Sequence, residues 1–136
     1  MHKATIPLLY PLLFLLLFVI SGCKEEFPVY AAYDQEEPLS LNCLQYSVLN
    51  PKEKQQLEDA FGLEEDRHCP YRVELIRYAV GNCNNPVVKS VGGDYNGYIR
   101  VEIKKGFKCY DKIQSDYKED ENAAFERVLK KIKVLY

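Results

Sequence analysis

Residues 98–103 read Tyr98-Ile99-Arg100-Val101-Glu102-Ile103, and the fold class turns on how that stretch is read. Ile99, Val101 and Ile103 alternate with Tyr98, Arg100 and Glu102. A period of two puts one set of side chains on each face of a strand. Downstream, Lys104-Lys105-Gly106 reads as a turn and Phe107–Ile113, FKCYDKI, as a returning strand. Upstream, GGDYNG (92–97) is a turn region and VVKSV (87–91) a β-branched strand. GNCNNP (81–86) is a loop by its Gly, Asn and Pro, and Tyr71–Val80, YRVELIRYAV, is a further strand. The last three of these strands join through short turns, which predicts an antiparallel meander.

Two helices flank this block. Asn50 is a good N-cap, Pro51 suits the first helical position, and Glu53 completes an N-x-x-E arrangement like a capping box. Leu57, Ala60 and Phe61 fall at helical spacing, and Gly62 ends the segment. At the other end of the chain Phe125, Val128, Leu129, Ile132 and Leu135 form one apolar stripe. Asp116 with Glu119 reads as its D-x-x-E start; acids crowd its first turns and lysines its last, as the helix dipole favours. Leu39–Leu49, LSLNCLQYSVL, alternates as a strand with Leu39, Leu41 and Cys43 on one face. Lys24–Pro38, KEEFPVYAAYDQEEP, carries two prolines and several acids without sustained periodicity, and reads as a flexible tether. Single apolar stripes must be buried on something, and the sheet is the available surface. The expectation is a two-layer α+β domain over residues 39–136, with a mostly antiparallel sheet of four to five strands and both helices on one face.

Composition bounds the function. Net charge is −2, which does not suit a nucleic-acid binder. The charge is uneven: residues 24–76 are net −7 and residues 77–136 net +4. Lys104, Lys105, Lys108 and Lys112 cluster about one hairpin. They read first as lysines guarding a solvated strand edge. The functional reading is a contact for an anionic partner, such as lipid headgroups or an acidic protein. No G-x-S-x-G, phosphate loop or H-E-x-x-H motif occurs. His68 stands beside Cys69, where a shared substrate is hard to reach, and reads as an exposed loop residue. The sequence thus argues for no enzyme, no cofactor and no metal.

The N-terminus gives an address. A weakly basic start, His2 and Lys3, precedes an apolar run from Ile6 to Ile20 and the small residues Ser21 and Gly22. This is the layout of a secretory signal peptide, and the run is shorter than the roughly 20 residues of a membrane-spanning helix. Ile20-Ser21-Gly22-Cys23 resembles the lipobox of bacterial lipoproteins, an aliphatic residue and two small ones before a cysteine. The resemblance covers residues 1–23. It implies removal of residues 1–22, acylation of Cys23, and a membrane contact through the lipid. Lys24, where an inner-membrane protein would tend to have Asp, implies the outer membrane facing the periplasm; the inner membrane or the outer face of a Gram-positive plasma membrane are the lesser alternatives. Residues 23–38 would then be lipidated cysteine and tether.

Setting Cys23 aside leaves Cys43, Cys69, Cys83 and Cys109, and an oxidising compartment makes two disulfides the default. Cys69 and Cys83 flank a strand of about ten residues, roughly 30 Å long, too far for a bridge. Of the two remaining pairings, Cys43–Cys83 with Cys69–Cys109 stays open. A strand-helix-strand crossover, however, runs its strands parallel, placing Cys43 and Cys69 at one end and Cys83 at the other, which favours bridging Cys43 to Cys69. The expected pairs are Cys43–Cys69 and Cys83–Cys109. Their spacings of 26, 14 and 26 do not suit a zinc site. The functional expectation is a non-enzymatic accessory or assembly subunit of an envelope complex, with a protein partner in that envelope. The alternative is a lipoprotein that holds a lipid or small molecule between helices and sheet.

Overall fold

The structure, a computed structural model, describes residues 26–79 and 95–136. Their elements run β1 (Val29–Tyr33), β2 (Gln45–Ser47), α1 (Pro51–Phe61), β3 (Tyr71–Ala79), β4 (Gly97–Lys105), β5 (Lys108–Tyr117) and α2 (Glu121–Leu135). The five strands form one sheet in the order β1-β5-β4-β3-β2. All neighbours are antiparallel except β2 and β3, which the α1 crossover makes parallel. The fold is the expected α+β arrangement.

The alternation of residues 98–103 sets the two faces. Ile99, Val101 and Ile103 are fully buried and face the helices, in register with Val73 and Leu75 on β3 and Ile113 on β5. Ala124, Phe125, Val128, Leu129 and Ile132 of α2 close over them, and Leu57, Ala60 and Phe61 of α1 complete the same core. Each aliphatic side chain so buried contributes about 1.5–3 kcal/mol relative to exposure. Leu135 is only half-buried, so the stripe loosens at its end.

Arg77 ties both helices to the sheet. It pairs with Glu53 in the first turn of α1 and Glu121 in the first turn of α2, and its guanidinium lies 5.7 Å from the centre of the Phe125 ring. Glu53 therefore serves this clamp, while Asn50 caps α1 by accepting from the N–H groups of Lys52 at 2.9 Å and Glu53 at 3.4 Å. Gly62, at φ 69°, ends α1 with its N–H on the Glu58 carbonyl.

Four sequence expectations are corrected. The stretch read as tether contains β1: Val29 and Ala31 are half-buried against the core, and the strand pairs with β5 from Val29↔Ser115 to Tyr33↔Asp111. Its alternation is weak because Ala supplies the pattern and an edge strand gains much of its stability from the main chain. The domain therefore begins near Val29 rather than Leu39. Second, only Gln45–Ser47 of the 39–49 stretch is strand, and the buried side chains are Leu44 and Tyr46, opposite in phase to Leu39, Leu41 and Cys43. Leu39 and Leu41 still pack on the core from an irregular segment. Third, α2 is capped by Asp120, whose side chain accepts from Ala123 N–H at 2.9 Å; Asp116 belongs to β5. Finally, β4 and β5 are interior strands, so the hairpin lysines do not guard an edge. The expected strand 87–91 lies outside the described residues, and β3 and β4 pair directly from Tyr71↔Lys105 to Ala79↔Gly97.

Candidate functional site

The sheet face turned away from the helices carries a continuous polar ladder. Arg72 binds Glu74 at 2.8 Å, Glu74 binds Lys104 at 2.6 Å, and Lys104 also reaches Glu102 at 3.1 Å. Arg100 continues it to Glu102 at 3.2 Å and donates to Gln114 at 2.9 Å, and Gln114 donates to Asp116 at 2.9 Å. The pairs sit side by side because the register places Glu74 opposite Glu102, Arg72 opposite Lys104, and Arg100 opposite Gln114. Glu102 is the hub, its side chain only 8% exposed between two cations. The Lys104 ammonium beside them holds the Glu74 carboxyl below its usual range, and the same contacts raise the Lys104 ammonium. Next to the ladder, Tyr78 and Tyr98 stack with centroids 5.1 Å apart, and Arg100 lies over the Tyr98 ring.

The ladder ends at the β4–β5 hairpin. A register shift after Ile103 leaves Tyr110 as an extra residue between Lys104↔Cys109 and Ile103↔Asp111. The tip is a two-residue turn in which Gly106 takes φ 59° and Phe107 follows it. Glycine at the first central position is what a type II′ hairpin requires. Phe107 is fully exposed. Lys108 pairs with Asp34 at 2.7 Å and lies over the Tyr110 ring. Lys105 lies over the Tyr71 ring, and Tyr71 meets Tyr110 edge-on at 5.9 Å.

The four lysines thus do not form one free cationic cluster. Lys104 and Lys108 are neutralised by Glu74, Glu102 and Asp34, whereas Lys105 and Lys112 have no ion-pair partner among the described residues. Cys43 and Cys69 are bridged, with S–S 2.06 Å and Cα–Cα 5.7 Å, at the shared end of parallel β2 and β3. Cys69 is therefore no nucleophile for His68, whose side chain is exposed and whose N–H closes a turn on the Asp66 carboxylate. Cys109 is half-buried and has no disulfide partner among the described residues; burial, then the nearby Glu102, raises its thiol pKa. Its expected partner Cys83 lies outside the described residues, as does Cys23. Among the described residues no cluster of metal-ligating side chains occurs.

The space between helices and sheet is filled by the core. A groove of about 500 Å³ lies instead at its margin, between Leu39, Leu41, Phe61, Leu63, Leu135 and the rim residue Glu37. Beside it the buried Asp111 carboxylate accepts from the Tyr136 hydroxyl and from Leu39 N–H. Neither the groove nor this pair, nor the Arg77 clamp, was legible from spacing, since each joins residues from distant segments. The tyrosine stack comes from the direct β3–β4 register, Tyr78↔Tyr98, which the expected strand at 87–91 between them concealed.

Comparison of the chain with known protein families, with curated proteins and with solved structures finds no match.

Proposed function

We propose that the chain is a bacterial envelope lipoprotein, held at the periplasmic side of the outer membrane by acylated Cys23, that serves as a non-enzymatic accessory or assembly subunit. The observation that carries this reading is Ile20-Ser21-Gly22-Cys23 directly after the apolar run Ile6–Ile20. More than one acyl chain holds a protein stably on a membrane where one is marginal. The Cys43–Cys69 bridge suits the oxidising compartment that this address supplies. Five residues separate Cys23 from Val29. Fully extended, that link spans at most about 20 Å, so the β1 end of the domain rides close to the headgroups. The ordered polar face of the sheet, with its stacked tyrosines, is the surface offered to a partner. Crosslinking in membranes, followed by purification of the tagged chain, tests the role. A discrete protein partner recovered with the native chain and lost with Cys23→Ala supports it; recovery of the same proteins from both defeats it.

A second reading is favoured by the marginal groove of about 500 Å³, a size typical of small-molecule sites. On this reading the lipoprotein holds a lipid or small molecule against Leu41, Phe61 and Leu135. Native mass spectrometry of the purified protein distinguishes the two, since a co-purifying mass favours the groove.

A further inference from the structure

We propose that the β4–β5 hairpin tip is a protein-docking element: Phe107 enters an apolar pocket on an envelope partner, and Lys105 meets carboxylates on that pocket's rim. The inference deepens the accessory-subunit reading and rests on it for the orientation of the domain.

The first observation is that Phe107 is not needed by its own fold. The turn requires Gly106 at φ 59°, but the second central position accepts most residues. Phe107 packs on nothing, at 108% exposure. A single exposed apolar residue is ordinary on a protein surface; its mounting here is not. Lys104 is held between Glu74 and Glu102, Lys108 is held by Asp34 over Tyr110, and Lys105 lies over Tyr71. The stem is therefore ordered before any partner arrives, which lowers the entropy lost on docking. An aromatic side chain mounted on an ordered stem and ringed by polar groups suits an interface hot spot.

Charge and polarity select the partner. Lys105, next to the tip, lacks an ion-pair partner among the described residues, so the tip can satisfy acidic groups. Asp34, Glu36 and Glu37 are exposed where β1 ends beside Asp111, at the same end of the sheet. An anionic bilayer would repel these acids, whereas a protein can match both signs. The tip also lies far from the start of β1. Ser115 pairs with Val29, and the eight residues back to Phe107 extend about 26 Å along the strand.

The full chain carrying Phe107→p-benzoylphenylalanine is irradiated in its native cells, beside Leu49→p-benzoylphenylalanine. Leu49 is equally exposed, between β2 and α1. The expected result is an adduct with a protein of one discrete mass at position 107, stronger than at position 49 by about tenfold or more. Lys105→Glu should weaken it about tenfold. A lipid adduct at 107, no adduct, equal adducts at both positions, or indifference to Lys105→Glu overturns the inference. Palmitate labelling is read in the same cells. Label without the adduct defeats the hairpin inference alone; absence of label defeats the anchored reading itself.

Discussion

The Tyr136 hydroxyl donates to the buried carboxylate of Asp111, fastening the end of α2 to the inner face of β5. The same carboxylate accepts from Leu39 N–H at 2.9 Å, so one acid joins helix, sheet and the segment leading to β2. Tyr136→Phe keeps the ring against Phe61, whose centroid lies 5.2 Å away, but leaves Asp111 one donor short. The expected loss is about 1–3 kcal/mol, the cost of leaving a buried polar group unsatisfied. Urea unfolding of the two proteins measures it; an unchanged midpoint would show that the bond contributes nothing.

The Cys43–Cys69 bridge closes a loop with a sequence separation of 26 residues around α1 and the parallel β2–β3 pair. On the chain-entropy account its removal costs about 3–4 kcal/mol. Cys43→Ala/Cys69→Ala should therefore lower stability by about that amount while leaving the far-ultraviolet dichroism native at low temperature. A loss below about 1 kcal/mol would mean that the unbridged chain is already constrained there.

Alkaline pH should unfold the domain through two phenols. Burial is the main cause raising both Tyr46 and Tyr136 above the ordinary 10.0; Glu58 and Glu65 add to it at Tyr46, and Asp111 at Tyr136. The folded state thus keeps protons that the unfolded chain releases. The sign of the linkage makes this stabilisation complete below about pH 10 and progressively lost above it. Absorbance at the phenolate band and dichroism, followed together through an alkaline titration, should show these two tyrosines ionising only as the fold is lost. Full phenolate absorbance with native dichroism would contradict the assignment.

Much of the fold was legible because its strongest elements carry a clean period. Residues 98–103 alternate without exception, the α2 stripe repeats at helical spacing, and the parallel crossover brings Cys43 to Cys69. The failures have physical causes. Val29–Tyr33 is an edge strand whose small inward residues give little contrast, and the prolines and acids around it look like a tether. Leu39 and Leu41 are half-buried against the core from irregular backbone, so their alternation pointed to the wrong face of a strand. Asp116 and Asp120 are both followed by acids, and only the pairing of β5 with β4 through Tyr117↔Gly97 shows that the strand continues past the first. The lysines at 104–112 were visible as a cluster, but their neutralisation by Glu74, Glu102 and Asp34 depends on register, which sequence order does not reveal.

The anchoring of Cys23 is the central claim, and the intact mass of the protein extracted from membranes tests it most directly. The account predicts a chain beginning at Cys23, without residues 1–22 and heavier than its peptide mass by a diacylglyceryl group and an N-terminal acyl chain, with Cys23→Ala giving an uncut, unlipidated product. A native protein that retains residues 1–22, or that begins elsewhere and carries no lipid, would contradict it.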